Sequence, residues 1–172
     1  TGLTGCYITD LAKWYTINFE SKYTNPLYYA KNLYVNGELV TELIIPDSIT
    51  NILNYTFINC TSLTSITIPD SVIGIDNSAF EGCTGLINVT LSNSVKFIRE
   101  SAFNGCNGLT SITIPGSVLT IGDTAFADCT GLTEVVLSNN MTIIGYAAFS
   151  GCSGLVSITI PNSVVSIKGY AF

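Results

Sequence analysis

The sequence contains no histidine in 172 residues. That removes the commonest general base and metal ligand, and with them most catalytic triads and zinc sites. Charge is scarce as well: six Lys+Arg and twelve Asp+Glu make up 10% of the chain, against about 25% in an average soluble protein. The balance, −6, argues against nucleic acid or an anionic membrane as a partner. Long hydrophobic runs are missing too, although 47% of the residues are hydrophobic. A spanning helix needs about 18–20 consecutive apolar residues; here they come in short clusters such as Leu43-Ile44-Ile45, closed by Pro, Ser, Asn, Gly or Thr. Membrane insertion is therefore not expected, and the solvated surface has to be built mainly from Ser, Thr and Asn.

What the sequence has instead is a period. Cys60, Cys83, Cys106, Cys129 and Cys152 are spaced 23 residues apart. Phe57, Phe80, Phe103, Phe126, Phe149 and Phe172 keep the same spacing, as do Leu63, Leu86, Leu109, Leu132 and Leu155. A unit of this size cannot bury its own apolar side, whereas stacked copies can, so a short fixed period predicts a solenoid.

Within the unit that starts at Leu63, Leu-x-x-Ile66-x-Ile68 alternates as a strand does, with Ile66 and Ile68 inward and Ser65 and Thr67 outward. Pro69 has no N–H for a parallel neighbour and ends the strand. Asp70-Ser71 supply a turn. Val72 and Ile75 mark a second short extended segment, and Ala79-Phe80 followed by Gly82 reads as one helical or 3₁₀ turn. The chain is expected to form seven parallel strands in one continuous concave sheet, with short extended and 3₁₀ segments on the convex side.

The template also covers the start of the chain, where Leu3-Thr4-Gly5-Cys6-Tyr7-Ile8 fits with Cys6 in place of Ile66. Strand starts then fall at 3, 40, 63, 86, 109, 132 and 155, and the one irregular interval, between 3 and 40, holds the extra residues. There Asp10 can cap a short helix carrying Leu11, Trp14 and Tyr15, and Asn25-Pro26 can start another turn. Leu33 to Val40 reads as a hairpin around Asn36-Gly37. The whole of 1–172 is thus expected to be one repeat domain, a fragment of a longer array. Residues 1–39 end one repeat and add a long variant coil, and 40–172 are regular repeats.

The unit L-x-x-I-x-I-P-x-S-V-x-x-I-x-x-x-A-F-x-G-C-x-G resembles the BspA-like class of leucine-rich repeats, repeat by repeat over 40–172. Departures are small: Ser92 and Ser138 replace the Pro, Thr56 the Ala, and Asn59 and Asp128 the Gly before Cys. The resemblance implies a right-handed leucine-rich-repeat solenoid (α/β superhelix class, strongly β-rich). It also implies an extracellular or cell-surface location in a bacterial or protist surface protein, and adhesion to host proteins or other cells. It carries no catalytic residues and no cofactor.

The ladder Cys60, Cys83, Cys106, Cys129 and Cys152 lacks the converging geometry of a zinc site. Adjacent coils, ~4.8 Å apart, permit a disulfide by distance, but side chains pointing in parallel disfavour its torsion. The preferred reading is a column of small buried reduced thiols. Glu42 and Glu134 share an outward column, yet four coil spacings place them ~19 Å apart, beyond the ~5–9.5 Å of a glycosidase pair. Asp47 and Asp70 can either share a cation or simply form Asx turns. Serines lack a base, no phosphate-binding glycine loop occurs, and the Asn-x-Ser/Thr sites at Asn54, Asn59, Asn88 and Asn140 follow from composition.

Surfaces remain. Glu42, Ser65, Asn88, Ser111, Glu134 and Ser157 form one outward column. Ile44, Thr67, Thr90, Thr113, Val136 and Thr159 form the second. Together they make a hydroxyl-rich face, either a plain solvated sheet or a docking surface. Trp14, Tyr15, Tyr28, Tyr29 and Tyr34 form either an exposed anchor patch or a plug for the gap of the long coil. The functional expectation is a non-enzymatic interaction or adhesion module with host or cell-surface proteins or glycans as partners. The alternatives are a passive spacer and, more remotely, a hydrolase fragment.

Overall fold

The computed structural model describes residues 2–172. Its first part is irregular. Strand β1 (Cys6–Ile8) leads to helix α1 (Leu11–Trp14), a 3₁₀ turn (Lys22–Thr24) and helix α2 (Leu27–Ala30). The Asp10 carboxylate accepts the Lys13 N–H at 3.1 Å and caps α1. Lys31, in the left-handed region at φ 63°, ends α2. Strands β2 (Leu33–Val35) and β3 (Glu38–Leu39) then form an antiparallel hairpin. Its turn residues Asn36 and Gly37 have φ of 52° and 87°, the pair of positive values that a type I′ turn requires.

From Glu42 on, the chain repeats. First strands are β4 (Glu42–Ile44), β6 (Ser65–Ile68), β8 (Asn88–Leu91), β10 (Ser111–Thr113) and β12 (Glu134–Val136). Second strands are β5 (Asn51–Ile52), β7 (Gly74–Ile75), β9 (Phe97–Ile98), β11 (Thr120–Ile121), β13 (Ile143–Ile144) and β14 (Ser166–Ile167). Every pairing in the stack is parallel and one repeat out, such as Ser65 with Asn88 and Ile75 with Ile98.

The chain returns from the second to the first strand through tight turns. Alternate backbone N–H groups there reach the next coil: Ser78 to Glu100 O at 2.9 Å, Phe80 to Ala102 O at 2.9 Å, Gly82 to Asn104 O at 2.7 Å. The groups between them close 3₁₀-type turns within the coil, as Cys83 N–H does on Phe80 O at 3.2 Å. This alternation consumes backbone polar groups that burial would otherwise leave unpaired.

The core lies between these sides. The Phe rings stack nearly parallel, with centroids 5.3 to 5.5 Å apart from Phe57 through Phe149 and 5.8 Å between Phe149 and Phe172. Leu63, Leu86, Leu109 and Leu132 are fully buried beside them. Burying one such side chain stabilises the fold by about 1.5–3 kcal/mol in each of these four coils, while Leu155 is half-buried.

Three features depart from the template. The six-stranded continuous ladder is the one formed by the second strands; the first strands divide into β4-β6-β8 and β10-β12, with no pairing between β8 and β10. Residues 157–160 form no strand, so the seventh first strand is missing. Third, β1 pairs with β2, with Cys6 opposite Leu33, rather than with the strand near position 40. The long interval therefore contains a strand of its own at Leu33–Val35. That strand is also the first arm of the hairpin, after which Leu43 resumes the column of Ile66.

Candidate functional site

The outward columns of the first strands form the candidate surface. Glu42, Asn88, Ser111, Glu134 and Ser157 are exposed and Ser65 is half-buried. Thr67, Thr90, Thr113 and Thr159 are exposed, while the residues between them, such as Leu43, Ile66 and Ile112, are buried. Two apolar side chains interrupt the second column: Ile44 is 85% exposed and Val136 45%. Among the described residues, none of the Ser, Thr, Asn or Glu side chains of these columns bonds to another protein group. Their neighbours do: the Thr64 hydroxyl donates to Thr41 O at 3.0 Å and the Thr133 hydroxyl to Thr110 O at 3.0 Å. The face therefore keeps its hydrogen-bonding capacity for solvent or a partner.

Carboxylates are spread over this face. Three coils intervene between Glu42 and Glu134, so the two cannot flank one bond. Asp47 and Asp70 line one hollow with Thr67 and Thr90. Among the described residues, no group of three or more His, Cys, Asp or Glu is placed to hold a metal ion.

The aromatic insert divides into two parts, and the idea of a single exposed patch is corrected. Trp14 and Tyr15 are buried, at 4% and 2% exposure, and cannot anchor a partner. The Trp14 indole N–H donates to Thr56 O at 3.0 Å, and the Tyr15 ring meets Phe57 edge-on at 5.3 Å. The fully buried Asn25 joins them, its amide donating to Tyr55 O at 2.7 Å and Thr56 O at 3.2 Å while its oxygen accepts the Leu27 N–H at 2.8 Å. The physical reason is the open end of the phenylalanine column, which only large rings can cover. Tyr28 and Tyr34 are half-buried and Tyr29 is 37% exposed. Tyr34 stacks on the exposed ring of Tyr7 with centroids 4.5 Å apart.

The ladder cysteines are all buried, with free thiols. Each thiol from Cys83 on donates to the carbonyl of the Phe one coil back. Cys83 reaches Phe57 O at 3.1 Å, Cys106 reaches Phe80 O at 3.3 Å, Cys129 reaches Phe103 O at 3.2 Å and Cys152 reaches Phe126 O at 3.0 Å. Burial raises the Cys60 thiol, raises that of Cys83 well above its usual value and pushes Cys106 up to about 12. Contact between the last two thiols raises Cys129, which burial raises further, and lowers Cys152. The raised thiols of Cys60, Cys83 and Cys106 are inert at neutral pH.

One surface feature went unnoticed in the sequence. On the second sheet, Phe97 is 48% exposed and Leu119 51%, and both line a groove of about 700 Å³. The Arg99 guanidinium lies 5.2 Å over the Phe97 ring, and its Nε donates to Asp76 at 2.9 Å. Gly122 lines the same groove, and there the coils approach so closely that a Cβ would lie 2.5 Å from the Arg99 carbonyl carbon. The signal was present: Phe97 stands in the column Asn51, Gly74, Phe97, Thr120, Ile143 and Ser166, where an aromatic is out of pattern.

The periodic Phe and Cys columns, the paired first and second strands and the 23-residue register are now all located. The sequence matches the family described as BspA type Leucine rich repeat region, in six copies over residues 28–130 and 50–172. The chain belongs to this family. No curated protein matches it. Among solved structures it is similar to a leucine-rich repeat protein from Bacteroides ovatus ATCC 8483, with 39% identity and a TM-score of 0.70 over 77% of this chain and 34% of that one. A T. pallidum leucine-rich repeat protein shares 28% identity and a TM-score of 0.52 over 78% of this chain and 69% of that one. A leucine-rich repeat protein from Eubacterium ventriosum ATCC 27560, at 21% identity, shares the fold: TM-score 0.63 over 80% of this chain and 44% of that one. The matched part of the BspA-type chain thus covers less than half of the Bacteroides and Eubacterium proteins.

Proposed function

We propose that this BspA-type chain is a non-catalytic interaction module of a cell-surface or secreted protein, binding protein or glycan partners through the outward face of its first strands. The observation that carries the reading is the contrast in hydrogen bonding. Thr64 and Thr133 spend their hydroxyls on the preceding coil. Thr67, Thr90 and Thr113, at a position three residues further along the coil than Thr64, keep theirs exposed. A non-catalytic role agrees with a chain that has no histidine and whose outward carboxylates stand coils apart.

A repeat face offers similar side chains at intervals of ~4.8 Å, which suits an extended polymer or a broad protein surface better than a small molecule. The test is an array of glycans and host proteins probed with the wild-type chain and with T67K/T90K/T113K. Binding by the wild type and its loss in the triple variant, with the melting temperature kept, supports the reading. Array binding that survives the triple change places the contact elsewhere, and a wild type that binds nothing on the array leaves a spacer as the better account.

A further inference from the structure

The second outward column changes character at its N-terminal end. Where later coils place Thr67, Thr90 and Thr113, β4 places Ile44, 85% exposed. Beside it the β2–β3 hairpin stands as a wall, and the two enclose a groove of about 580 Å³ lined by Leu11, Val35, Glu38, Leu39, Glu42 and Ile44 among others. Leu39 is 43% exposed. Glu38 and Glu42 are exposed carboxylates, and neither belongs to the ion pairs formed among the described residues, which are Lys22–Glu81, Arg99–Asp76 and Lys168–Asp123. No basic side chain lines the groove; Lys13, with Asp10, lines a separate cleft at the hairpin turn.

We infer that this groove is the docking site for a cationic, apolar segment of a partner protein, in which Lys or Arg stands next to aliphatic side chains. The inference rests on the proposed outward-face reading and names the partner chemistry at one end of that face. Two unpaired carboxylates flanking exposed Leu39 and Ile44 complement such a segment in both charge and apolarity. The hairpin wall is held by strand pairing, Tyr34 with Leu39 and Val35 with Glu38, so little ordering accompanies binding.

The test uses the whole chain, isotope-labelled, and two short synthetic peptides, one alternating Lys with Leu and the other Glu with Leu. The Lys-Leu peptide is expected to bind, to shift the amide resonances of residues 38–44, and to lose affinity as salt is raised. E38Q/E42Q should weaken it roughly tenfold, as the loss of two rim charge contacts predicts. I44T, which restores the Thr of later coils, should weaken it in a salt-independent way. The Glu-Leu peptide should not bind. Equal affinity for wild type and E38Q/E42Q, shifts confined to other residues, or no binding at all overturns the inference. T67K/T90K/T113K separates this failure from that of the broader reading. Array binding lost in that variant but kept in E38Q/E42Q overturns the groove alone, and array binding kept in the triple variant but lost in E38Q/E42Q supports the groove while overturning the longer face.

Discussion

Tyr15 ends the phenylalanine column. From Phe57 onward each ring stacks flat on the next, but Tyr15 meets Phe57 at 68° and 5.3 Å, edge to face, and among the described residues no ring stacks beyond it. An edge-on contact is the other favourable aromatic geometry, and here it lets a ring from α1 seal a stack built by repeats. The Tyr15 hydroxyl is buried and has no hydrogen-bond partner. Burial raises its pKa, which keeps it neutral.

Ring and hydroxyl therefore make opposite contributions, and two substitutions separate them. Tyr15→Phe keeps the contact and removes an unsatisfied polar atom, so stability by urea unfolding should stay level or rise by up to about 1 kcal/mol. Tyr15→Ala opens a cavity over Phe57 and should cost about 3–5 kcal/mol. A loss on Tyr15→Phe comparable to that on Tyr15→Ala would show that the hydroxyl is satisfied after all.

The regular coils were legible because stacking demands the same side chain at the same angle in every turn, so Phe, Leu and Cys recur at a fixed interval. Which threonines face outward was legible from alternation alone. The insert was not. Whether Trp14 and Tyr15 face solvent or core depends on Thr56 and Phe57, some forty residues along the chain, and no local pattern contains that contact. The hairpin from Leu33 was legible from Asn36-Gly37, but the parallel pairing of its first strand with Cys6 was hidden for a similar reason, since the repeat template does not define it. The exposure of Ile44 was implied by its column, but the groove beside it depends on the hairpin packing alongside.

A backbone column gives the second prediction. Tyr55, Ser78, Ser101, Thr124, Ala147 and Tyr170 all have φ between 51° and 63°. Only glycine adopts this left-handed conformation without cost, which for other residues is about 1–2 kcal/mol. Ala147→Gly removes that strain but loosens the unfolded chain, which takes back about 0.4–1 kcal/mol. The melting temperature should therefore rise modestly for Ala147→Gly and fall for Ala147→Val, whose branched side chain tolerates the conformation worst. A fall for both would mean that the alanine methyl contributes packing which outweighs the strain.

Two glycines follow the opposite rule. A Cβ at Gly145 would lie 2.6 Å from the Gly122 carbonyl carbon, and one at Gly122 would lie 2.5 Å from that of Arg99. These contacts are with backbone, so the coils themselves would have to separate. Gly122→Ala and Gly145→Ala are each expected to destabilise by about 1–3 kcal/mol or more. Gly116→Ala, where the nearest atom is the Asn140 side-chain nitrogen at 3.4 Å, should be close to neutral. The comparison is read by chemical denaturation, and equal losses at Gly116 and Gly122 would contradict the close coil-to-coil approach.

The buried thiols set the behaviour at high pH. A thiol ordinarily titrates near 9.0, and in the folded chain Cys106 is pushed up to about 12, with Cys60 and Cys83 also raised. Between those two values the unfolded chain has released its thiol protons and the folded chain has not. The folded state then binds more protons, so stability falls as pH rises. The contribution is fully present below pH 9.0 and drains away toward about 12, each thiol adding up to about 1.4 kcal/mol per pH unit while it lasts. With no histidine in the chain, no histidine titration interrupts the curve near neutrality. Melting temperatures measured from pH 6 upward under reducing conditions should hold level and then drop steeply beyond about 9. The variant Cys83→Ala/Cys106→Ala, less stable at neutral pH because two packed side chains are lost, should show a visibly shallower alkaline drop. If its slope matches that of the wild type, the thiols are not the groups being titrated, and ionisation of tyrosines becomes the cause.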